Sequence, residues 1–390
     1  MTTKKTVILK APTLTQSGYG THSRQCAKWL LSRSDLDIRF VLTPWGNTSW
    51  VLDRNKFDGL AGSVMDRSVS PDQLNSKPDV SLQLVLPNEW DTNLAKINVG
   101  VTAGVETDKC NPSWIESCNK MHSVIVPSEH TKFSFQNTGN VNVPIHVIPE
   151  SYVEACVSAK RVELPSFNTS FNFLVFGQLT GNNPNNDRKN TFNTIKWLSE
   201  VFKDDKDVGI VLKTNVGKNT KIDRGLVNNM MTALLQEVRK SSFPKLHLVH
   251  GDMSDEEVVS LYRHPQIKAL VSLTRGEGYG LPILEAAACD VPIIATGWSG
   301  HMDFLKHGKF VNISYQLQQV HPSRLDKNIF MKNARWAEPS EEDFKKRVAK
   351  FRNSCEVPKQ WAVELGSKIR EQYSFDKIKQ HYESVLSGVV

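Results

Sequence analysis

The sequence predicts two doubly wound α/β domains in succession, on three observations. The chain has 390 residues, more than the roughly 150 of a usual single domain. Short β-branched-rich apolar runs alternate with helix-length amphipathic stretches, the pattern of parallel β-α-β units. A polar stretch without periodicity interrupts the series after residue 151.

In order, TVILKAP (6–12) reads as the first strand, QSGYGTHSR (16–24) as a Gly-rich turn and QCAKWLLSRS (25–34) as a helix. IRFVLTP (38–44), VSLQLVLP (80–87), INVGVTAG (97–104), SVIVPS (123–128) and PIHVIPES (144–151) are further strands. The second series has strands FNFLVFG (171–177), GIVLKT (209–214), KLHLVHG (245–251), KALVSL (268–273) and VPIIAT (291–296). Helices TFNTIKWLSEVF (191–202), DEEVVSLYRH (255–264) and LPILEAAAC (281–289) lie among them, and 341–388 is helical and amphipathic. The expected division is 1–155 for the N-terminal Rossmann-like domain, 156–170 for a linker and 171–365 for the C-terminal one. A last helix, 366–390, is free to pack back on the first. Such domains bind ligands at the carboxyl ends of their strands, so an interdomain cleft is expected to hold the substrates.

Composition narrows the function classes. Hydrophobic residues make up 39% and charged residues 23%, as in globular proteins generally. No apolar run approaches the ~18–20 residues of a membrane span, and the N-terminal apolar run is too short for a secretory signal. The six cysteines, Cys26, Cys110, Cys118, Cys156, Cys289 and Cys355, form no C-x-x-C pair; scattered reduced thiols point to the cytoplasm. Net charge is +7, of which residues 151–390 hold +6, a weak pointer to an anionic partner. The strongest local excess is 306–335: Lys306, Lys309, Arg324, Lys327, Lys332 and Arg335 against Asp326. A polyanion could use that stretch; a solvated loop explains it equally.

The chemistry concentrates in T-R-G-E-G-Y-G-L-P-I-L-E (274–285). Gly276, Gly278 and Gly280 let the backbone approach a ligand closely. Pro282 suits the first turn of the helix that follows, whose N-terminus favours a diphosphate. Glu277 and Glu285 are bidentate acceptors for hydroxyl pairs of ribose or hexose.

E-G-Y-G-L-P-I-L-E, then V-P-I-I-A and G-W-S-G-H-M-D-F-L, resembles the E-x7-E signature of retaining GT-B glycosyltransferases; its wording resembles that of tailed-phage enzymes. The resemblance implies that Glu285 binds ribose hydroxyls, that Glu277 lies near the transferred sugar, and that Gly278, Tyr279, Gly280 and Leu281 offer backbone donors. It places a phosphate clamp at Arg188–Lys189. Where the family has an earlier arginine this chain has Gln178, leaving Arg188, with Lys213, to supply the second charge. Asp252 and Met253 fall where the family pairs with the nucleobase. Gly18, Tyr19 and Gly20 fall in its first loop over the donor, and Glu106 near its sugar-facing histidine. His22 and His301 read as structural.

The implied reaction moves a sugar from a nucleotide diphosphate sugar, UDP-linked by expectation, with retention. No D-x-D pair ends a strand, so no metal and no cofactor is expected. A nucleotide-sugar epimerase and a catalytically silent binding module are the rivals. The acceptor expected first is a hydroxymethylated pyrimidine in double-stranded phage DNA, which puts the enzyme in a host cytoplasm. A cell-surface glycan is the alternative.

Overall fold

A computed structural model describes residues 4–74, 76–158, 160–239 and 241–390. The chain divides into two compact units, residues 1–151 with 375–390, and residues 152–374.

Unit 1 runs β1 (Lys5–Ala11), α1 (Gly18–Leu31), β2 (Leu36–Leu42), α2 (Leu60–Asp66), β3 (Val80–Leu84), β4 (Ile97–Val101), α3 (Pro112–Cys118), β5 (Ser123–Val126), α4 (Glu129–Thr138) and β6 (Ile145–Val147). The six strands form one sheet in the order β2-β1-β3-β4-β5-β6, every pair parallel. Both faces are covered, which is why Val7, Leu9, Leu82 and Val99 are fully buried in runs that barely alternate. Helix α1 begins at Gly18, seven residues before the expected helix: the Ser17 side chain caps it by accepting from the Gly20 N–H, and Gly20 passes so near the Thr15 carbonyl that a Cβ would collide at 2.1 Å.

Unit 2 runs β7 (Phe171–Phe176), α5 (Thr191–Val201), β8 (Val208–Lys213), α6 (Lys221–Val238), β9 (Lys245–Val249), α7 (Asp255–Tyr262), β10 (Ile267–Ser272), α8 (Leu281–Ala288), β11 (Ile293–Thr296), α9 (Met302–Leu305), β12 (Val311–Ile313), β13 (Tyr315–Gln319), β14 (Arg335–Pro339), α10 (Glu341–Asn353) and α11 (Glu356–Gln372). Its parallel sheet has the order β12-β11-β10-β7-β8-β9. Counting from β7, the chain winds outward through β8 and β9, then returns to place β10 on the other side. The crevice at the carboxyl ends of β7 and β10 is therefore the switch point, where doubly wound sheets take ligands. Phe344, Val348 and Phe351 of α10 close the core against Phe171 and Phe173.

Three expectations need correction. The segment 306–335, for which a solvated loop is one of the two readings, contains β12, β13 and the start of β14. β13 and β14 pair antiparallel around a separate small cluster of Val320, Phe330, Ala334 and Trp336. The expected linker is packed: the Val162 N–H donates to Ser260 Oγ at 2.9 Å and the Phe167 N–H to Gln266 Oε1 at 2.8 Å. The boundary at 365/366 falls inside α11. The chain instead leaves unit 2 at Ser374, and α12 (Phe375–Leu386) buries Ile378, Tyr382 and Leu386 in the core of unit 1.

Candidate active site

The switch point of unit 2 brings together two loops. The first follows β7. Its Asp187 is fully buried and gathers the Thr180 hydroxyl at 2.7 Å, the Lys189 N–H at 3.2 Å and the Thr191 N–H at 2.6 Å. That carboxylate shapes the turn that projects Arg188 and Lys189 and starts α5. The Lys189 stem passes over Gly177, whose φ of +147° suits glycine.

The second loop follows β10. Thr274 Oγ1 donates to the Gly276 carbonyl at 2.9 Å, and Gly280 at φ +103° caps α8 in a left-handed conformation. The G-W-S-G-H segment supports this loop from behind. The Glu277 N–H donates to Ser299 Oγ at 2.8 Å, and the Glu277 carbonyl accepts from the Gly300 N–H at 2.9 Å. A Cβ on Gly300 would stand 2.1 Å from the Gly278 carbonyl oxygen, so both motifs fit only as a pair. His301 is buried and bonds the Thr296 carbonyl at 2.7 Å; burial lowers its pKa. It acts on the frame of the loop.

Where the loops meet, Lys189 Nζ lies 2.6 Å from Glu277 Oε1 and an Arg188 Nη lies 3.3 Å from Glu277 Oε2. Arg188 also donates to the Gly276 carbonyl at 2.7 Å. Burial alone would raise the Glu277 carboxyl; the Lys189 and Arg188 charges overcome that and hold it at about 2. The result is a buried carboxylate fixed between two cations, beside the N-terminus of α8.

Glu285 has the opposite environment. Burial, then Asp255 and Cys289, push its carboxyl up to about 8, although the Tyr262 hydroxyl donates to it at 3.3 Å. Tyr279 is buried edge-on against Phe304, and Leu281 opens α8. Lys213 is 9% exposed and donates to the Gly251 carbonyl at 2.6 Å; it braces the loop holding exposed Asp252 and half-buried Met253. That loop is also fixed by His250, which pairs with Asp223 at 2.8 Å. Sequence reasoning missed both.

Gly18, Tyr19, Gly20 and Glu106 lie in unit 1. Gly18 to Gly20 form the first turn of α1, not a free loop. The Tyr19 ring stacks on Trp45 at 3.7 Å. Its hydroxyl bonds Thr102 Oγ1 at 2.9 Å and accepts from the Ala103 N–H at 3.1 Å, which ties the turn to the end of β4. Half-buried Glu106 follows in the same loop.

Residues 234–321 match the family model described as "Glycosyl transferases group 1". Among curated proteins none matches this chain. Solved structures do. A glycosyltransferase from Rickettsia africae is 13% identical over 99% of this chain and 98% of its own, with a TM-score of 0.66. HepE of Anabaena, in complex with UDP and glucose, is 11% identical over 98% and 100%, TM-score 0.60. A TarM variant from S. aureus, in complex with Fondaparinux, alpha-GlcNAc-glycerol and UDP, is 16% identical over 78% of this chain, TM-score 0.51; this chain spans 55% of that one. Together with the two sheets, these neighbours define a GT-B fold. Residues 234–321, the segment that matches the group 1 model, contain Glu277, Glu285 and the loop between them.

Proposed function

We propose that the chain is a retaining glycosyltransferase that moves a sugar from a uridine diphosphate sugar to a hydroxyl acceptor. The observation that carries this reading is Glu277 fixed between Lys189 and Arg188 beside a helix N-terminus, at the switch point of unit 2. Two cations there stabilise the charge that develops on the departing diphosphate. The bond from the anomeric carbon to the phosphate oxygen breaks while the acceptor oxygen bonds that carbon from the same face. The acceptor's proton passes to the departing phosphate oxygen. Glu285 takes the ribose hydroxyls. The UDP assignment draws on the neighbours solved with UDP.

No metal enters this scheme. The Lys189 and Arg188 clamp already supplies positive charge. Transfer should therefore survive chelation by EDTA.

The acceptor in this reading is a hydroxymethylated pyrimidine in double-stranded DNA, met in a cytoplasm. It draws on the +6 net charge of residues 151–390. No helix among the described residues is long and apolar enough to cross a membrane. The test offers the protein a panel of nucleotide sugars with hydroxymethylated duplex DNA. Mass gain on the base, with the anomeric configuration kept, is the expected result. Glycosylation of a free oligosaccharide and none of the DNA would overturn the acceptor and favour a surface glycan. Isomerised donor without any acceptor would overturn transfer itself.

A further inference from the structure

Arg275 precedes the glycine run and received no role in the sequence reading. Its side chain is 4% exposed and four of its five guanidinium N–H donors are engaged. Nε meets Glu338 Oε2 at 2.6 Å and one Nη meets Glu338 Oε1 at 3.0 Å, a bidentate pair. The other Nη donates to the carbonyls of Pro184 at 2.6 Å and Asp187 at 2.8 Å. The backbone adds two bonds: the Arg275 N–H donates to the Arg188 carbonyl at 2.9 Å, and the Ala337 N–H donates to the Arg275 carbonyl at 2.9 Å. The guanidinium carbon lies 5.2 Å from the Trp336 ring.

These contacts join three segments distant in sequence: the 184–188 turn, the loop of Glu277, and β14. The Asp187 carbonyl held by Arg275 directly precedes the two clamp cations. Moving it moves both of them relative to Glu277, and displacements near 1 Å in such a site are costly. Only a planar fork reaches two carbonyls and a carboxylate at once; a lysine ammonium is a single point. We propose that Arg275 is a positioning residue for the diphosphate clamp, and that it makes the β13–β14 pair part of the site's frame. This rests on the donor reading above.

The test measures uridine and UDP binding by calorimetry on the full chain, for wild type, Arg275→Lys and Glu338→Gln. A clamp-positioning residue affects the ligand's phosphates and spares its nucleoside. Arg275→Lys should weaken UDP binding at least about tenfold, the scale of one charge-assisted hydrogen bond, and leave uridine binding unchanged. Glu338→Gln should act in the same direction by less, because the arginine keeps its carbonyl partners. The proposal is overturned if Arg275→Lys binds UDP like wild type, or if UDP and uridine binding fall together. Should Arg275→Lys not fold, Glu338→Gln decides by the same two criteria. A wild-type chain that binds no UDP sinks the donor reading and this proposal with it. Wild-type UDP binding with an unaffected variant sinks this proposal alone.

Discussion

Glu277 and Glu285 are one helical turn and a loop apart, yet the structure drives their carboxyls in opposite directions. Glu277 is ionised throughout the neutral range because two cations face it. Replacing it by glutamine removes a negative charge that competes with a diphosphate for Lys189 and Arg188. Glu277→Gln should bind UDP as tightly as wild type or tighter, while turnover falls about 10²-fold, the loss typical of one polar group at a developing charge. Calorimetry beside a transfer assay reads both; weaker UDP binding would count against the clamp. Glu285, raised to about 8 by burial, Asp255 and Cys289, is mostly neutral at pH 6 and ionised at pH 9. A carboxylate accepts from a hydroxyl pair better than a carboxylic acid does. Uridine, which stays neutral in this range, should bind more tightly as pH rises from 6 to 8, and Glu285→Gln should flatten the profile. The same shifts act on stability with opposite signs. The contribution of Glu285 is lost as pH rises from 4.5 through about 8, and that of Glu277 as pH falls from 4.5 towards about 2. Resemblance to a known family put Glu277 and the Arg188–Lys189 pair in one donor site, but the ion pairs between them were not legible, because their loops are almost ninety residues apart. Arg275, Asp187 and the His250–Asp223 pair were not legible either, since only the folded chain brings their partners near.

The strands were legible because parallel strands buried on both faces are continuous apolar runs. β13 was not. Its sequence YQLQQ is polar on both sides of Leu317 and lies largely exposed, so neither apolar content nor alternation marks it. Helix α1 was placed too late because its first turn is glycine, tyrosine and glycine, poor helix formers held by the Ser17 cap. α12 presents the opposite case. Ile378, Tyr382 and Leu386 recur every four residues, and all three are fully buried in unit 1, with Tyr382 stacked on Trp29 at 4.9 Å. Tyr382→Ala should cost unit 1 about 3–5 kcal/mol, the range for removing a large buried aromatic. Hydrogen exchange resolved by peptide checks it: faster exchange across β1 to β4 is expected, with β7 to β11 unchanged. A uniform change across both units would show that α12 is not specific to unit 1.

At the scale of the molecule, the charge excess lies in residues 151–390. Lys327, Lys332 and Arg335 are exposed around the β13–β14 connection, and Glu338, the nearby acid on β14, is already paired with Arg275. If duplex DNA is the acceptor, each phosphate contact releases counterions, and affinity should fall with salt with a log–log slope of about −0.9 per contact. Reversing Lys327, Lys332 and Arg335 together to glutamate should make that slope shallower and raise KM for DNA, with KM for the nucleotide sugar unmoved. Equal salt dependence in the variant and wild type would remove this surface from the DNA contact.

The chain's return to unit 1 at Phe375 also has a consequence for synthesis. A ribosome delivers every residue of unit 2 before it delivers Ile378, Tyr382 and Leu386. Unit 2, begun second, is the first with all its parts. Unit 1, made first, must wait with the apolar side chains around Trp29 of α1 uncovered until residues 375–390 emerge, and during that wait it is the half of the nascent protein that a chaperone would find.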